Sequence, residues 1–258
     1  MQIKQLILAS GFLLCSCFQL SAQEGTEKAK SDITHPKNML KVNLTALVLK
    51  NYSVTYERVL TKKISFAFSY RTMPLTSVPF KSSIIKAIDD DDIETKNAID
   101  KVRVGNFAIT PEVRFYLSRK GYGKGFYIAP FYRYAKFKVE QLNYDYDDNS
   151  VNKTVSISGD VTANTGGIMF GAQWFLGKHI ALDWWILGPH YGSGNGNFVG
   201  KASHPLTQAD QDDLRDDLED IDLPLTDKII TVNASGATVK LDGPWAGIRA
   251  GISIGIRF

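Results

Sequence analysis

The chain has 258 residues, 30 basic and 27 acidic side chains for a net charge of +3, 44% hydrophobic residues, 11% aromatics and two cysteines. That composition excludes a disordered tail, a collagen and a disulfide scaffold. A charge so near neutral provides no basic stripe, so no nucleic-acid partner is expected.

The first segment, 1–23, carries Lys4, an apolar run from Leu6 to Leu14, and Ser21-Ala22-Gln23 before polar residues. It reads as a cleaved secretory signal, too short in its apolar core to cross a bilayer as a helix, which takes about 20 apolar residues. Cys15 and Cys17 both lie in it, so the exported chain has no thiol for a disulfide or a thiolate metal site. A rival reading takes Leu14-Cys15-Ser16-Cys17 as a lipoprotein signal with Cys17 acylated, and either route exports the chain. Residues 24–38 have no apolar period and read as a flexible periplasmic lead.

From Met39 the pattern becomes strict alternation, the period of a strand with one apolar and one polar or small face. Leu40, Val42, Leu44, Ala46 and Val48 alternate with Lys41, Asn43 and Thr45; Ile64, Phe66, Phe68 and Tyr70 alternate with Ser65, Ala67 and Ser69. The end of the chain repeats it, with Ile248, Ile252, Ile254, Ile256 and Phe258 set against Arg249, Gly251, Ser253, Gly255 and Arg257. Eight candidate strands result: 39–49, 52–59, 64–72, 104–117, 125–138, 161–176, 179–189 and 244–258. No long apolar run follows residue 23, so no transmembrane helix is expected.

Alternation alone also suits a soluble sandwich or a lipocalin-like barrel with its apolar face inward. Two details favour the opposite orientation. The other face carries small residues and charges of both signs, and aromatics gather near strand ends at Tyr52, Tyr70, Tyr134, Trp174, Trp184 and Trp245, as in the girdles of membrane barrels. Connection lengths agree: 60–63, 118–124 and 177–178 are short, whereas 73–103, 142–160 and 190–243 are long, with the hairpin at Lys50-Asn51 the one short turn on the long side. Short turns on one side and long loops on the other are the signature of an outer-membrane barrel, so residues 39–258 are expected to form an eight-stranded antiparallel transmembrane β-barrel with long extracellular loops.

The eight alternating segments and the ending Gly255-Ile256-Arg257-Phe258 resemble the small outer-membrane β-barrel proteins of Gram-negative bacteria, the OmpX and OmpW type. Lys41-Val42-Asn43-Leu44, Tyr56-Glu57-Arg58 and Pro111-Glu112-Val113-Arg114-Phe115-Tyr116-Leu117 are similar to a family of uncharacterised exported barrels within that class. The resemblance implies an outer-membrane location, contact with outer-membrane lipid and lipopolysaccharide, and Phe258 as the signal presented to the barrel-assembly machinery. It implies no catalytic residue.

In so narrow a barrel the lumen is just wide enough to be filled by side chains. Glu57, Glu112 and Asp183 are therefore expected to pair with Arg71, Arg114, Arg133 and Arg249 as a packed polar core rather than to line a pore. Two acidic clusters, Asp89 to Asp92 and Asp210 to Asp222, lack the ordered spacing of a calcium loop and read as solvated surface, so no metal or cofactor is expected. The second cluster falls on a helix over 207–220, with Thr207 and Asp210 as a capping box and Leu214, Leu218 and Ile221 on one face. His190 and Ser193 do not have a spacing that forces a base against a nucleophile. The function expected is non-enzymatic: a barrel whose surface loops contact envelope components, ligands or partner proteins. The alternatives are a narrow conduit for small or apolar solutes and, third, a lipid-modifying enzyme.

Overall fold

The computed structural model describes residues 36–258 apart from 89–92, 120, 149–150 and 222; the expected signal, residues 24–35 of the lead and the run Asp89 to Asp92 lie outside the described residues. In chain order the elements are β1 (Asn38–Asn43), α1 (Leu44–Val48), β2 (Tyr52–Val59), β3 (Ile64–Ser77), α2 (Lys81–Lys86), α3 (Ile93–Lys101) and β4 (Arg103–Tyr116). There follow β5 (Gly125–Asp148), β6 (Val151–Leu176), β7 (Ile180–Ala202), α4 (Gln208–Asp220), β8 (Asp227–Asn233) and β9 (Gly236–Arg257).

Each strand from β1 to β7 pairs antiparallel with the next, β7 pairs with β9, and β9 pairs with β1, so eight strands close into a ring. β8 stands outside the ring and pairs only with the upper part of β9, from Asp227↔Asp242 to Asn233↔Gly236. The expected all-β, eight-stranded barrel fold is what the chain adopts. The short connections fall where the sequence puts them, between β2 and β3, β4 and β5, and β6 and β7.

Closure depends on a glycine. Gly255 pairs with Lys41, and a Cβ there would run into the Leu40 carbonyl oxygen and lie 2.5 Å from Lys41 Cγ. Gly255→Val is therefore expected to destabilise the ring by about 1–3 kcal/mol, the usual range for forcing extra carbons into a packed site. Denaturant unfolding checks it; an unchanged midpoint would show that the seam has room to spare.

Two expectations are corrected. The first strand does not run to residue 49: it stops at Asn43, whose side chain accepts a 2.9 Å hydrogen bond from the Ala46 backbone N–H and caps the single turn of α1. A capping asparagine offers the backbone a local partner that competes with the ladder, and the alternation of Leu44, Ala46 and Val48 coincides with a helical turn. Two of the three long loops, moreover, are mostly strand, whereas 73–103 carries α2 and α3. Residues 142–148 and 151–160 are the upper, paired ends of β5 and β6, up to Asp148↔Val151, and the described residues of 190–243 comprise the upper halves of β7 and β9 together with α4 and β8. Backbone groups in so long an excursion are best satisfied by extending the ladders already begun below.

α4 starts where expected. Thr207 Oγ1 accepts from the Asp210 N–H and an Asp210 carboxylate oxygen accepts from the Thr207 N–H, a reciprocal cap. Leu214, Leu218 and Ile221 face Val155, Ile157, Phe198, Val239 and Leu241 around an apolar cavity of ≈ 190 Å³, so the helix leans on the upper sheet. Lys228 Nζ closes its C-terminus by donating to the carbonyls of Leu218, Glu219 and Ile221.

Candidate functional site: the barrel lumen

Burial is inverted relative to a soluble sandwich. Leu40, Val42, Phe66, Phe68, Phe115, Phe170, Ile252 and Ile254 are exposed on the outside of the ring, while Lys41, Glu57, Glu112, Arg114, Gln173 and Asp183 are buried within it. Outside, Trp174 stacks on Trp184 at 6.5 Å, and Tyr70, Phe107 and Tyr134 form an edge-to-face row at 5.6 and 6.2 Å. The stacked tryptophans lie towards the short turns and the row towards the opposite end. Trp245, expected in the outer girdle, stacks instead on Phe137 at 5.3 Å between two strands that are not neighbours, which puts this contact across the lumen. Its odd position number gives it the inward parity of Arg249.

Every strand of the ring contributes to one network. Lys41 Nζ of β1 donates to Glu57 Oε2 of β2 at 2.6 Å, to Gln173 Oε1 of β6 at 2.7 Å and to Asp183 Oδ2 of β7 at 2.6 Å. Arg114 of β4 reaches Glu57 at 2.9 Å, Asp183 at 2.6 Å and, through Nε, Glu112 at 2.7 Å. Ser65 of β3 and Tyr116 donate to Glu57 Oε1, and Tyr127 of β5 donates to Asp183 Oδ1 at 2.8 Å. Arg249 of β9 completes the circle with a 3.2 Å bond to Glu112 and lies over the rings of Phe131 and Trp185. These bonds tie strands far apart in the chain, and the side chains that meet at this level of the lumen are all buried.

Of the seven lumen charges named from the sequence, the structure joins Glu57, Glu112, Arg114, Asp183 and Arg249. It does not join the other two to an acid. Arg71 Nε donates to Asn51 Oδ1 at 3.1 Å and Arg133 Nη1 to Thr110 Oγ1 at 3.2 Å, both neutral acceptors. Both line a cavity of ≈ 370 Å³ above the network, together with Arg249. The register explains this: Glu112 lies in the Glu57–Ala67 rung, whereas Arg71 pairs with Ser53 and Ala108, two inward positions further up. Sequence reasoning missed the parts played by Lys41, Gln173, Tyr116 and Tyr127. All four share the inward parity of the charges, which was the available signal.

His190 faces the lumen, edge-on to Phe131 at 6.0 Å, while Ser193, an odd number of residues along the same strand, is exposed on the other face. The two are not a base and a nucleophile in contact. Phe258 sits at the seam, its N–H donating to the Asn38 carbonyl and its own carbonyl accepting from the Asn38 N–H at 3.0 and 2.9 Å. No group of side chains fit to hold a metal ion occurs among the described residues, and no described helix is long and apolar enough to cross a membrane.

A closed ring of eight antiparallel strands, polar within and apolar without, defines an all-β protein of the barrel class. Residues 11–194, more than half of the chain, match the family described as Protein of unknown function (DUF3575), and the chain belongs to that family. No curated protein and no solved structure gives a match.

Proposed function

We propose that this protein is a non-enzymatic outer-membrane β-barrel, of the general kind of the OmpX and OmpW proteins, with a plugged lumen and a recognition surface above the rim. One observation carries the reading: the outer wall is an apolar band between two levels of aromatics, and the charges are gathered inside. In water that wall would be a far larger apolar patch than a soluble monomer exposes. Lipid and lipopolysaccharide are then the surroundings of the wall, and Phe258 is the residue offered to the assembly machinery. Recognition is assigned to the upper sheet and its helices because the chain spends its length there, on a rigid base.

Membrane fractionation and heat-modifiable gel migration test the location, and recovery as a detergent-free periplasmic protein would end the reading. The narrow-conduit alternative predicts single-channel conductance, which the filled Lys41–Arg114 level argues against. A lipid-modifying activity predicts altered lipid A masses on overexpression. Deleting 209–222 removes α4 without touching a strand of the ring, so heat-modifiable migration is expected to persist while binding by the upper sheet falls. Loss of that migration would make α4 part of the scaffold.

A further inference from the structure

The ring is incomplete above the ionic plug. β1 leaves the wall at Asn43, level with Ser253 of β9 and one position beyond Val42↔Val54, and β2 begins at Tyr52, whereas β3 and β9 continue well past that level. The wall therefore has a notch between β3 and β9, into which α1 is folded. The ≈ 370 Å³ cavity lies there, with Thr45, Ala46 and Leu49 on one side and Arg71, Arg133 and Arg249 on the others.

Charge is not balanced around this space. Lys41, Arg114 and Arg249 are matched by Glu57, Glu112 and Asp183 in the plug below. Arg71 and Arg133 remain, and among the described residues no carboxylate is within ion-pair distance of either. A guanidinium has five N–H donors, so most of those on Arg71 and Arg133 have no acceptor among the described residues. Cations held together in a partly enclosed space repel one another, and an anion placed among them gains charge-assisted hydrogen bonds as well as relieving that repulsion.

We propose that Arg71, Arg133 and Arg249 form a binding site for a phosphate-type oxyanion at the notch where β1 leaves the wall. The three arginines come from β3, β5 and β9 and so approach from different sides, which suits a tetrahedral group; a planar carboxylate is satisfied by a single guanidinium fork. Ser53, Ser69 and Thr110 add hydroxyls to the same wall. The space exceeds a bare phosphate, leaving room for part of an organic substituent. Two sources share this chemistry: a soluble phosphate ester entering from the lumen and a lipid phosphate entering through the notch. The site does not depend on the membrane location proposed above, because the cavity belongs to the barrel in any solvent.

Calorimetry on the full chain folded in neutral detergent, with inorganic phosphate as titrant, tests the proposal, and vesicles of phosphatidic acid against phosphatidylcholine form the second arm. Wild-type protein is expected to bind phosphate, and Arg133→Gln and Arg71→Gln are each expected to weaken it about tenfold to a hundredfold, the value of a lost charge-assisted hydrogen bond. Arg133→Lys keeps the charge without the fork and should fall between. Binding confined to phosphatidic acid vesicles and lost in the same variants supports the site and assigns it to a lipid headgroup. No binding in either arm by protein that still shows heat-modifiable migration overturns the proposal while leaving the barrel reading intact. Equal weakening by Lys178→Gln, far from the cavity at a short turn, would overturn it too, since that outcome belongs to diffuse surface charge. Native migration of each variant beside wild type separates a lost site from a lost fold.

Discussion

Arg114→Leu is expected to lower the stability of the folded barrel by about 3–5 kcal/mol, the range for removing one partner of a buried ion pair. Arg114 is fully buried and bridges Glu57, Glu112 and Asp183, so its loss leaves three carboxylates to share Lys41 and Arg249. Leucine restores some volume but none of the hydrogen bonds, and an unmade bond to a buried charge is more damaging than a made one is helpful. Arg114→Lys should retain part of the loss, since one ammonium cannot reproduce the fork that meets Glu112 through Nε while Nη1 reaches Glu57 and Asp183. Urea unfolding followed by tryptophan fluorescence gives the comparison. Equal midpoints for wild type and Arg114→Leu would mean that water reaches the network and screens it, which would also reopen the conduit reading.

The second large effect separates the two faces of one strand. Ile252→Arg places a charge on the outer wall, where Ile252 is 41% exposed, and in a bilayer this is expected to cost about 2–4 kcal/mol near the midplane. Ser253→Arg acts on the neighbour that faces inward, 1% exposed and paired in register with Asn43 and Asp183, where overfilling the lumen is worth about 1–3 kcal/mol. The solvent decides which is worse. In lipid the Ile252 variant should be the weaker folder; in a water-soluble barrel it should be indistinguishable from wild type, and that result would refute the proposed location.

The ring was legible in the sequence because its two faces meet different surroundings. Ile64 to Tyr70 and Ile248 to Phe258 alternate cleanly since one side of each segment faces outward and the other is packed against the plug. Above the rim that contrast fades. β8 alternates only between exposed and half-buried positions, and the upper part of β6 does little more, so the hydrophobic period that marks a strand is weak there and the segments read as loop. The turn of α1 was hidden for a different reason. Leu44, Ala46 and Val48 happen to continue the alternation, while the helical turn is held by local bonds that the pattern does not carry, from the Ala46 N–H to Asn43 Oδ1 and from the Leu49 N–H to the Ala46 carbonyl.

The site was legible as a set of inward charges but not as a set of pairs. Parity assigns a residue to a face; it does not give its height in the barrel, which depends on the stagger between strands. Arg71 and Arg114 have the same inward parity, yet the rungs carry Arg114 into the plug with Glu57 and leave Arg71 beside the cavity. Lys41 reads as one of the charges of the inward face, and nothing in its spacing tells that its Nζ meets Glu57, Gln173 and Asp183 of three other strands at one point.

β1 and β2 have 6 and 8 residues, whereas β6 has 26. At about 3.3 Å per residue β6 runs roughly 85 Å along its length, and at a tilt near 45° it would rise roughly 60 Å. An apolar band of about 25 Å accounts for less than half of that height. The remainder is a one-sided mast, with the acidic helix α4 leaning on it and the edge of β8 along one border. In the proposed outer-membrane location, whatever approached the cell would touch this mast tens of ångströms before it reached lipid, so first contact would be made at a distance where the membrane itself exerts little repulsion, and a protease or antibody added outside is expected to find the mast before any other part of the chain.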